Sequence, residues 1–314
     1  MKRTLSALAL LATLALSSAS RAEPGWALVW ADEFDGPSID KRKWGFDADC
    51  WGGGNDERQC YTKSGRNAAI EDGKLVITAR YERTTGAALP LQLRRQSSQG
   101  DREATRDFSS ARLTTRGRAS WQYGRIEVRA RLPQGQGTWP AIWMLPEKTR
   151  YGPWAASGEI DILEAVNLGV ICTKCPGGRE NTIFGTIHFG AKPPGNTQAG
   201  TEIGFLEVLD GFHTYAVEWF ADRIIWQVDG RSYAERKAGE WFTAGSKTPG
   251  APFDQPFHLI LNLAIGGKLP EGRGLGGVRN DGYPKRMEVD WVRVWQKPVI
   301  GARAPAGSVK TGGN

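Results

Sequence analysis

The sequence lacks several features that would assign it to common protein classes. Beyond its first twenty-two residues it has no apolar run approaching the roughly 20 residues that span a bilayer, which argues against a membrane protein. It also has no dense basic run. Its formal net charge of +7 falls to +4 without Lys2, Arg3 and Arg21. A balance that slight does not indicate a nucleic-acid partner, and it leaves neutral ligands open.

Cysteine is scarce, with four in 314 residues. The motif Cys172-x-x-Cys175 lacks a second C-x-x-C and a nearby histidine pair, which argues against zinc. In an exported chain four cysteines indicate disulfides, and local pairing would give Cys50–Cys60 and Cys172–Cys175. The sequence alone leaves the connectivity open.

The N-terminus has the layout of a secretory signal peptide. A charged start is followed by an apolar run over 5–16 and a small-x-small exit at Ser20-Arg21-Ala22. We therefore predict cleavage after Ala22 and a secreted protein, extracellular or periplasmic, that is not membrane-bound after cleavage and is a monomer. The mature chain of about 290 residues is predicted to form one domain over 23–298, because all-β domains often reach this length. Residues 299–314, rich in Gly and Ala, are predicted to be a disordered tail.

Period-two alternation is the dominant pattern, and no long stretch keeps a helical period. In "RIEVRARL" (125–132) apolar residues at even positions alternate with charged residues at odd positions, which predicts a strand with one wet face. Trp291 and Trp295 are expected in the core. The prediction is an all-β antiparallel sandwich of jelly-roll type. The other predicted strands are 74–80, 182–190, 215–220, 224–230, 257–267 and 287–296.

The stretch "GEIDILE" (158–164) places three acids among aliphatic residues. In a regular strand Glu159 and Asp161 share one face, and Glu164 lies on the opposite one. A β-bulge with Ile162 or Leu163 as the inserted residue would return Glu164 to the face of the other two acids. The Cα atoms of Glu159 and Glu164 would then be about 13 Å apart, at about 3.3 Å per strand step.

Acids so arranged suit a retaining glycosidase, whose two carboxyl groups stand about 5–5.5 Å apart. One must be ionised to attack the anomeric carbon, and the other must hold a proton for the leaving oxygen. Crowding of like charges favours this division, because it raises the proton affinity of one member. The alternative, a solvated acidic strand edge, does not account for the apolar neighbours.

Four segments together resemble glycoside hydrolase family 16, and most closely its bacterial endo-1,3-β-glucanases, or laminarinases. The resemblance spans 31–296 and implies a bent, concanavalin-like β-jelly roll with a concave substrate cleft. It implies that Glu159 is the nucleophile, Asp161 its supporting acid and Glu164 the general acid/base, with no cofactor in the chemistry. The segments are "TWPAIWMLP", "YGPWAASGEIDILEAVN", "TIHFG" and "FHLILNLAIGG".

The same resemblance implies contacts with substrate and a structural calcium ion. The calcium ligands would be the backbone carbonyls of Glu33 and Gly73 and the carboxylate of Asp290. The chain departs from the family pattern at Cys60, at 191–194 and at Leu269, and the last two changes remove expected sugar platforms. The implied substrate-binding residues are Asn55, Trp139, Trp143, Trp154, His188 and Asn262.

We therefore predict a secreted retaining endo-β-1,3-glucanase acting on laminarin-type β-glucans. The nearest alternatives are a related galactan hydrolase, such as an agarase or carrageenase, a mixed-linkage glucanase and a transglycosylase. A non-catalytic lectin on the same fold is the alternative from another class, because a fold does not decide function. The intact set of three acids favours the enzyme over the lectin.

Overall fold

The computed structural model describes residues 25–95, 98, 102–207 and 209–298. The predicted signal peptide and the predicted C-terminal tail lie outside these ranges. Helix is confined within them to α1 (Leu91–Arg94), α2 (Lys268–Gly272) and two 3-10 turns, Pro176–Gly178 and Ala238–Glu240. Neither α1 nor α2 has the length and apolarity that a membrane crossing requires.

Strands make up most of the regular structure, as the alternation predicts. Each predicted strand is present, with ends shifted by a few residues, and the first, predicted over 74–80, extends to Ala87. The strands are β1 (Ala27–Asp32), β2 (Gly45–Asp47), β3 (Gln59–Tyr61), β4 (Ala68–Glu71), β5 (Lys74–Ala87), β6 (Glu103–Ser110), β7 (Arg112–Thr114), β8 (Gly124–Arg131), β9 (Thr138–Pro146), β10 (Glu159–Ala165), β11 (Thr182–Gly190), β12 (Asn196–Gly204), β13 (His213–Trp219), β14 (Arg223–Val228), β15 (Arg231–Lys237), β16 (Phe257–Ile265) and β17 (Lys285–Gln296).

Two sheets pack face to face, which confirms the predicted sandwich. We call the seven-stranded sheet, of order β12-β11-β10-β9-β16-β7-β2, the cleft sheet. The other sheet, which we call the outer sheet, has ten strands, eight of them in the order β15-β14-β13-β8-β17-β5-β6-β3. The remaining two are β1, which pairs with β17, and β4, which pairs with β5. Neighbouring strands are antiparallel apart from β3 and β6. The cleft sheet places β10 between β9 and β11.

The core lies between the sheets and is built from alternating apolar residues of both. Ile126 and Val128 of β8 are fully buried, as are Leu259 and Leu261 of β16. Each such side chain stabilises the fold by about 1.5–3 kcal/mol relative to an exposed position. This shared core holds the cleft sheet rigidly against the outer sheet.

One expectation about side-chain placement on the outer sheet is confirmed and one is wrong. Trp295 is buried, at 6% exposed, whereas Trp291 is not in the core, because Val292 and Val294 take the inward positions of β17. Trp291 is half-buried on the opposite face beneath Arg293, and Trp295 donates a 2.7 Å hydrogen bond to Glu127. That bond leaves Glu127 only 8% exposed, so the expected wet face of β8 is partly covered.

Both locally paired disulfides are present, and no cysteine within the described ranges is free. The bond Cys50–Cys60 joins the loop before β3 to β3 itself. The amide of Cys50 also donates to the carbonyl of Ala87 at 2.7 Å, so the loop is held against the end of β5. Asn55 lies on the loop that this disulfide closes.

Candidate active site

A β-bulge interrupts β10 where the acidic motif predicts it. Along β11, Glu159 pairs with His188 and Glu164 with Phe184, so five steps on β10 match four on its neighbour. Along β9, Asp161 pairs with Trp143 and Leu163 with Ile142, which leaves Ile162 without a partner. Ile162 is therefore the inserted residue.

The bulge separates acidic from aliphatic side chains. Ile160, Ile162 and Leu163 are at most 1% exposed and belong to the core between the sheets. The side chains of Glu159 and Glu164 lie instead on the face of the cleft sheet that is turned away from the core, and both are half-buried. The sequence-based expectation that Glu164 returns to this face is confirmed.

Each glutamate accepts a hydrogen bond from an indole. Trp139 of β9 donates to Oε1 of Glu164 at 3.0 Å, and Trp154 donates to Oε2 of Glu159. Trp154 is 41% exposed on the loop before β10, whereas Trp139 is only 7% exposed. Two of the three tryptophans predicted to bind sugar thus fix the direction of the carboxylates, and the ring of Trp154 is partly open to solvent.

Asp161 and His188 form a polar pair below the glutamates. The imidazole Nε2 lies 3.2 Å from Oδ2 of Asp161, within ion-pair distance although its N–H is not aimed directly at that oxygen. Burial raises the pKa of Asp161 well above its usual range, and the charges of Glu159 and Glu164 add to the increase. Burial opposes the charged form of His188, but its contact with Asp161 and the charges of the two glutamates outweigh burial and raise the pKa of His188 to about 9.

Glu164 has the proton affinity of an acid that works near neutral pH. Burial raises its pKa to about 7, and the negative charges of Glu159 and Glu57 add to the increase. The positive charge of His188 and the hydrogen bond from Trp139 oppose it. Glu164 therefore holds a proton up to neutral pH.

Asn262 and Trp143 lie side by side in the cleft sheet. The indole of Trp143 donates to Oδ1 of Asn262 at 2.7 Å, and the amide of Asn262 lies 3.1 Å from the hydroxyl of Tyr61. Asn262 is only 4% exposed, so its contacts within the protein orient Trp143. Direct sugar binding by either residue stays a prediction.

Arg112 is a half-buried residue of this region that the sequence reasoning missed. Its guanidinium lies over the rings of Tyr61 and Trp143, at 4.5 Å and 5.4 Å from their centroids. Arg112 stands on β7 opposite Asn262 of β16. Its position in the alternating strand "RLT" was the available signal, but strand alternation does not reveal a cation among aromatic rings.

Asn55 lies at the edge of the site, half-buried on the loop closed by the first disulfide. Its carbonyl accepts a 2.8 Å hydrogen bond from the amide of Lys268, which ties the loop to the segment after β16. A cavity of about 400 Å³ borders this loop and is also lined by Trp51, Arg58 and Arg106. The loop therefore has space for a ligand beside it.

One group of side chains in the described part of the chain has the spacing of metal ligands. It comprises Glu159, Asp161 and His188, whose candidate ligand atoms lie within 4.8 Å of one another. Two of its members are the predicted nucleophile and its supporting acid, and the third lies at ion-pair distance from Asp161. We therefore describe this group as an acid cluster.

The three predicted calcium ligands lie on or beside neighbouring strands of the outer sheet. Asp290 lies at a register shift of β17, between residues that pair with β5 and with β1. Gly73 immediately precedes β5, and Glu33 immediately follows β1. The placement suits the predicted set, but the carboxylate of Asp290 accepts a hydrogen bond from Arg129, which competes with a cation.

Comparison with known proteins indicates that the chain is an enzyme that hydrolyses carbohydrates. The chain is 39% identical over 285 residues to glucan endo-1,3-beta-glucosidase A1 of Niallia circulans, covering 87% of this chain and 38% of that protein's length. It is 39% identical to a beta-glucanase of Rhodothermus marinus, covering 94% and 95% of the two chains. The X-ray structure of the laminarinase from Rhodothermus marinus superposes with a TM-score of 0.68 at 39% identity, over 86% of this chain and 97% of that one.

The sandwich and its acid cluster, together with these relatives, define a glycoside hydrolase. Residues 56–293 match the glycosyl hydrolases family 16, and the chain belongs to that family. This confirms the resemblance drawn from the sequence. The reaction in this family requires no cofactor.

We predict that Trp139→Phe moves the alkaline limb of the kcat/KM profile upward. The indole N–H stabilises the charged form of Glu164, so its loss raises the pKa of that carboxyl. A hydrogen bond to a charged group contributes about 1.5–3 kcal/mol, which corresponds to a shift of about one pH unit or more. Trp143→Phe serves as the control, because its indole bonds to Asn262. A limb unchanged in Trp139→Phe would contradict the assignment.

Proposed function

We propose that the protein is a secreted retaining endo-1,3-β-glucanase that cleaves laminarin-type β-glucans by double displacement. The observation that carries the proposal is the bulge at Ile162, which places Glu159, Asp161 and Glu164 on one face of the cleft sheet. A retaining mechanism needs a nucleophile and an acid/base on opposite sides of one glycosidic bond. Two glutamates separated by a bulge in a single strand meet that need.

In the first step a carboxylate oxygen of Glu159 attacks the anomeric carbon. The bond from that carbon to the leaving oxygen breaks, and Glu164 transfers its proton to this oxygen. A pKa of about 7 suits Glu164 to the task, because the group is protonated at neutral pH yet releases its proton readily. The products of the step are a shortened glucan and a glycosyl ester on Glu159.

In the second step water attacks the same anomeric carbon from the other side. Glu164, now ionised, accepts a proton from the water, and the ester bond to Glu159 breaks. Two inversions return the original β configuration. Sugar hydroxyls compete with water for this intermediate, so the balance between hydrolysis and transglycosylation depends on what occupies the acceptor side.

Asp161 and His188 support the nucleophile. Burying three acids together is unfavourable unless charge or hydrogen bonds compensate. The imidazolium of His188 supplies a positive charge 3.2 Å from Asp161 and also lowers the pKa of Glu164. We infer that the pair supports the attack by Glu159 while Glu164 keeps its proton.

Aromatic rings around the acids favour a neutral glucan as the partner. The ring of Trp154 is exposed beside Glu159, and its centroid lies 5.6 Å from that of His188. Trp139 and Trp143 line β9 next to the acidic strand. Indole faces pack against the C–H faces of sugar rings, so we assign Trp154 as the main platform and Asn55 as a distal contact. The proposed enzyme acts as a monomer.

The roles of the two glutamates are tested by removing each and supplying azide with an activated aryl β-glucoside of a 1,3-linked oligosaccharide. In Glu159→Ala azide takes the nucleophile's place and attacks once, which yields an α-glycosyl azide. In Glu164→Ala the ester on Glu159 still forms from the activated substrate, and azide then yields a β-glycosyl azide. NMR of the anomeric proton distinguishes the two products.

Glu71→Ala is the matched control, since this acid on β4 of the outer sheet pairs with Arg286. It should hydrolyse laminarin normally and form no azide product. Exchanged anomers would reverse the two roles, and laminarin hydrolysis at wild-type rates in either glutamate variant would refute both assignments.

Substrate class is tested by the reducing ends released from laminarin, mixed-linkage glucan, agarose and carrageenan. The proposal predicts the highest rate on laminarin, with internal cleavage and products released as β anomers. Faster release of reducing ends from agarose or carrageenan would instead indicate a galactan hydrolase. Binding of laminarin without any released ends would indicate the lectin alternative.

Export after cleavage at Ala22 is part of the proposal and rests on the layout of residues 1–22. A polymeric glucan does not cross a membrane unaided, so an enzyme acting on it belongs outside the cytoplasm. Expression of the whole chain in a secreting host should give an exported protein whose N-terminus is Glu23. Retention of Met1 in an active product would refute this part alone.

We propose a structural calcium ion at Glu33, Gly73 and Asp290, in keeping with the oxygen donors that this cation prefers. Calcium at about 100 times its Kd stabilises by about 2.7 kcal/mol, which raises Tm by roughly 5–10 °C in a domain of this size. Calorimetry with calcium and with a chelator should show this difference. It should vanish in Asp290→Ala and persist in Asp281→Ala, whose carboxylate pairs with Arg279. Equal Tm values with and without calcium would contradict the site.

A further inference from the structure

A tryptophan of the outer sheet reaches across the core to the bulge in the cleft sheet. The indole Nε1 of Trp226, on β14, donates a 2.7 Å hydrogen bond to the backbone carbonyl of Asp161 on β10. Trp226 is 1% exposed, so it contacts neither solvent nor substrate. The bond therefore joins the interior side of the catalytic strand to the opposite sheet.

The position of this bond along β10 coincides with the irregularity. The register of β10 shifts immediately after Asp161 on both of its neighbours. A bulge disrupts the regular ladder locally, and a buried carbonyl left without a donor is destabilising. Trp226 supplies a donor at this point from outside the sheet, and so favours the bulged register over a regular one.

The surrounding residues leave space for the indole. Gly185 of β11 lies between Thr186 and Phe184, the partners of Asp161 and Glu164 across the bulge. A Cβ atom at position 185 would stand 2.5 Å from Cδ1 of Trp226, so any larger residue would displace the ring. The missing side chain is thus what admits the indole at the bulge.

The pairing of β14 with β15 is itself irregular next to Trp226. Trp226 pairs with Ala234 and Gln227 with Ser232, which leaves Tyr233 as an extra residue on β15. Bulges re-aim neighbouring side chains. Two bulges, one in each sheet, therefore flank the same indole.

We infer that Trp226 is a positioning residue for the acid pair: its indole N–H holds the Asp161 carbonyl, and thereby keeps the bulge that turns Glu164 to the side of Glu159. The inference rests on the proposed function for its catalytic readout. A slip of one residue in strand register exchanges the two faces of a strand. Loss of the bulge would therefore direct Glu164 into the core.

The test compares Trp226→Phe with Trp219→Phe. Trp219 is also fully buried in the outer sheet, and it donates to the carbonyl of Phe253 at 3.2 Å, not to β10. Each variant keeps an aromatic ring and loses one indole N–H from the core. Both should lose similar amounts of thermal stability.

Only Trp226→Phe should lose turnover. A displacement of about 1 Å at a reacting group lowers the rate by up to about 100-fold, so we expect kcat on laminarin to fall about 10- to 100-fold with KM nearly unchanged. Trp219→Phe should keep kcat within about twofold of wild type once the temperature lies well below both Tm values. Equal kcat losses in the two variants at equal Tm losses would overturn the inference and make Trp226 a core residue only.

A second readout does not depend on the substrate. Amide hydrogen exchange of a peptide covering β10, followed by mass spectrometry, should be faster in Trp226→Phe than in Trp219→Phe, because the bulge loses its cross-sheet bond. Unchanged exchange would overturn the inference whatever the enzyme cleaves. If wild type and Trp219→Phe both leave laminarin intact while exchange behaves as expected, the proposed substrate fails and the positioning role stands.

Gly185→Ala keeps the inference testable if Trp226→Phe does not fold. The added methyl group would contact the indole of Trp226 directly. The variant should show the same selective loss of kcat and the same faster exchange of β10. Wild-type kcat and exchange in Gly185→Ala would mean that a side chain at position 185 does not disturb the indole of Trp226. That result would contradict the inference.

Discussion

The structure depends on one extra residue in one strand. Ile162 has no partner on β9, and this single insertion changes the phase of everything that follows it in β10. Without it Glu164 would face the opposite sheet, where Ile126 and Val128 leave no water for a carboxylate. With it, three acids share a surface and three aliphatic residues share the core. The chemistry and the stability of the strand therefore come from the same irregularity.

An acid cluster of this kind must be compensated within the protein. Indole N–H groups from Trp139 and Trp154 reach the two glutamates, and the His188 imidazolium stands beside Asp161. These hydrogen bonds and charges do not fully offset the burial of Glu164. Glu164 is left with a pKa of about 7 and can exchange a proton near neutral pH. The proposed double displacement requires such a proton donor beside the nucleophile.

Much of this arrangement could be predicted from local pattern. Alternation identified the strands, because a half-buried strand has a period of two, and the spacing of Glu159, Asp161 and Glu164 required a bulge. The motif's resemblance to family 16 then supplied roles that spacing alone does not provide. Local pairing of the cysteines was also correct, since each pair closes a short loop.

The contacts that escaped prediction join residues far apart in the sequence. Trp226 meets Asp161 across 65 residues, and Trp295 meets Glu127 across 168. Alternation assigns a residue to a face, but it does not identify the residue on the neighbouring strand or sheet that it will meet. For this reason the burial of Trp295 was predicted correctly, but its hydrogen bond to Glu127 was not. Arg112, enclosed by aromatic rings, escaped notice for the same reason.

The most direct measurement is a crystal structure of the enzyme after reaction with an activated 2-deoxy-2-fluoro glycoside of a β-1,3-linked oligosaccharide. The account predicts an ester between Glu159 and the anomeric carbon, with the carboxyl group of Glu164 about 5–5.5 Å from that of Glu159 and on the same side of β10. A sugar bound without an ester, with the two carboxyl groups about 6.5–9.5 Å apart, would instead indicate an inverting enzyme and contradict the account.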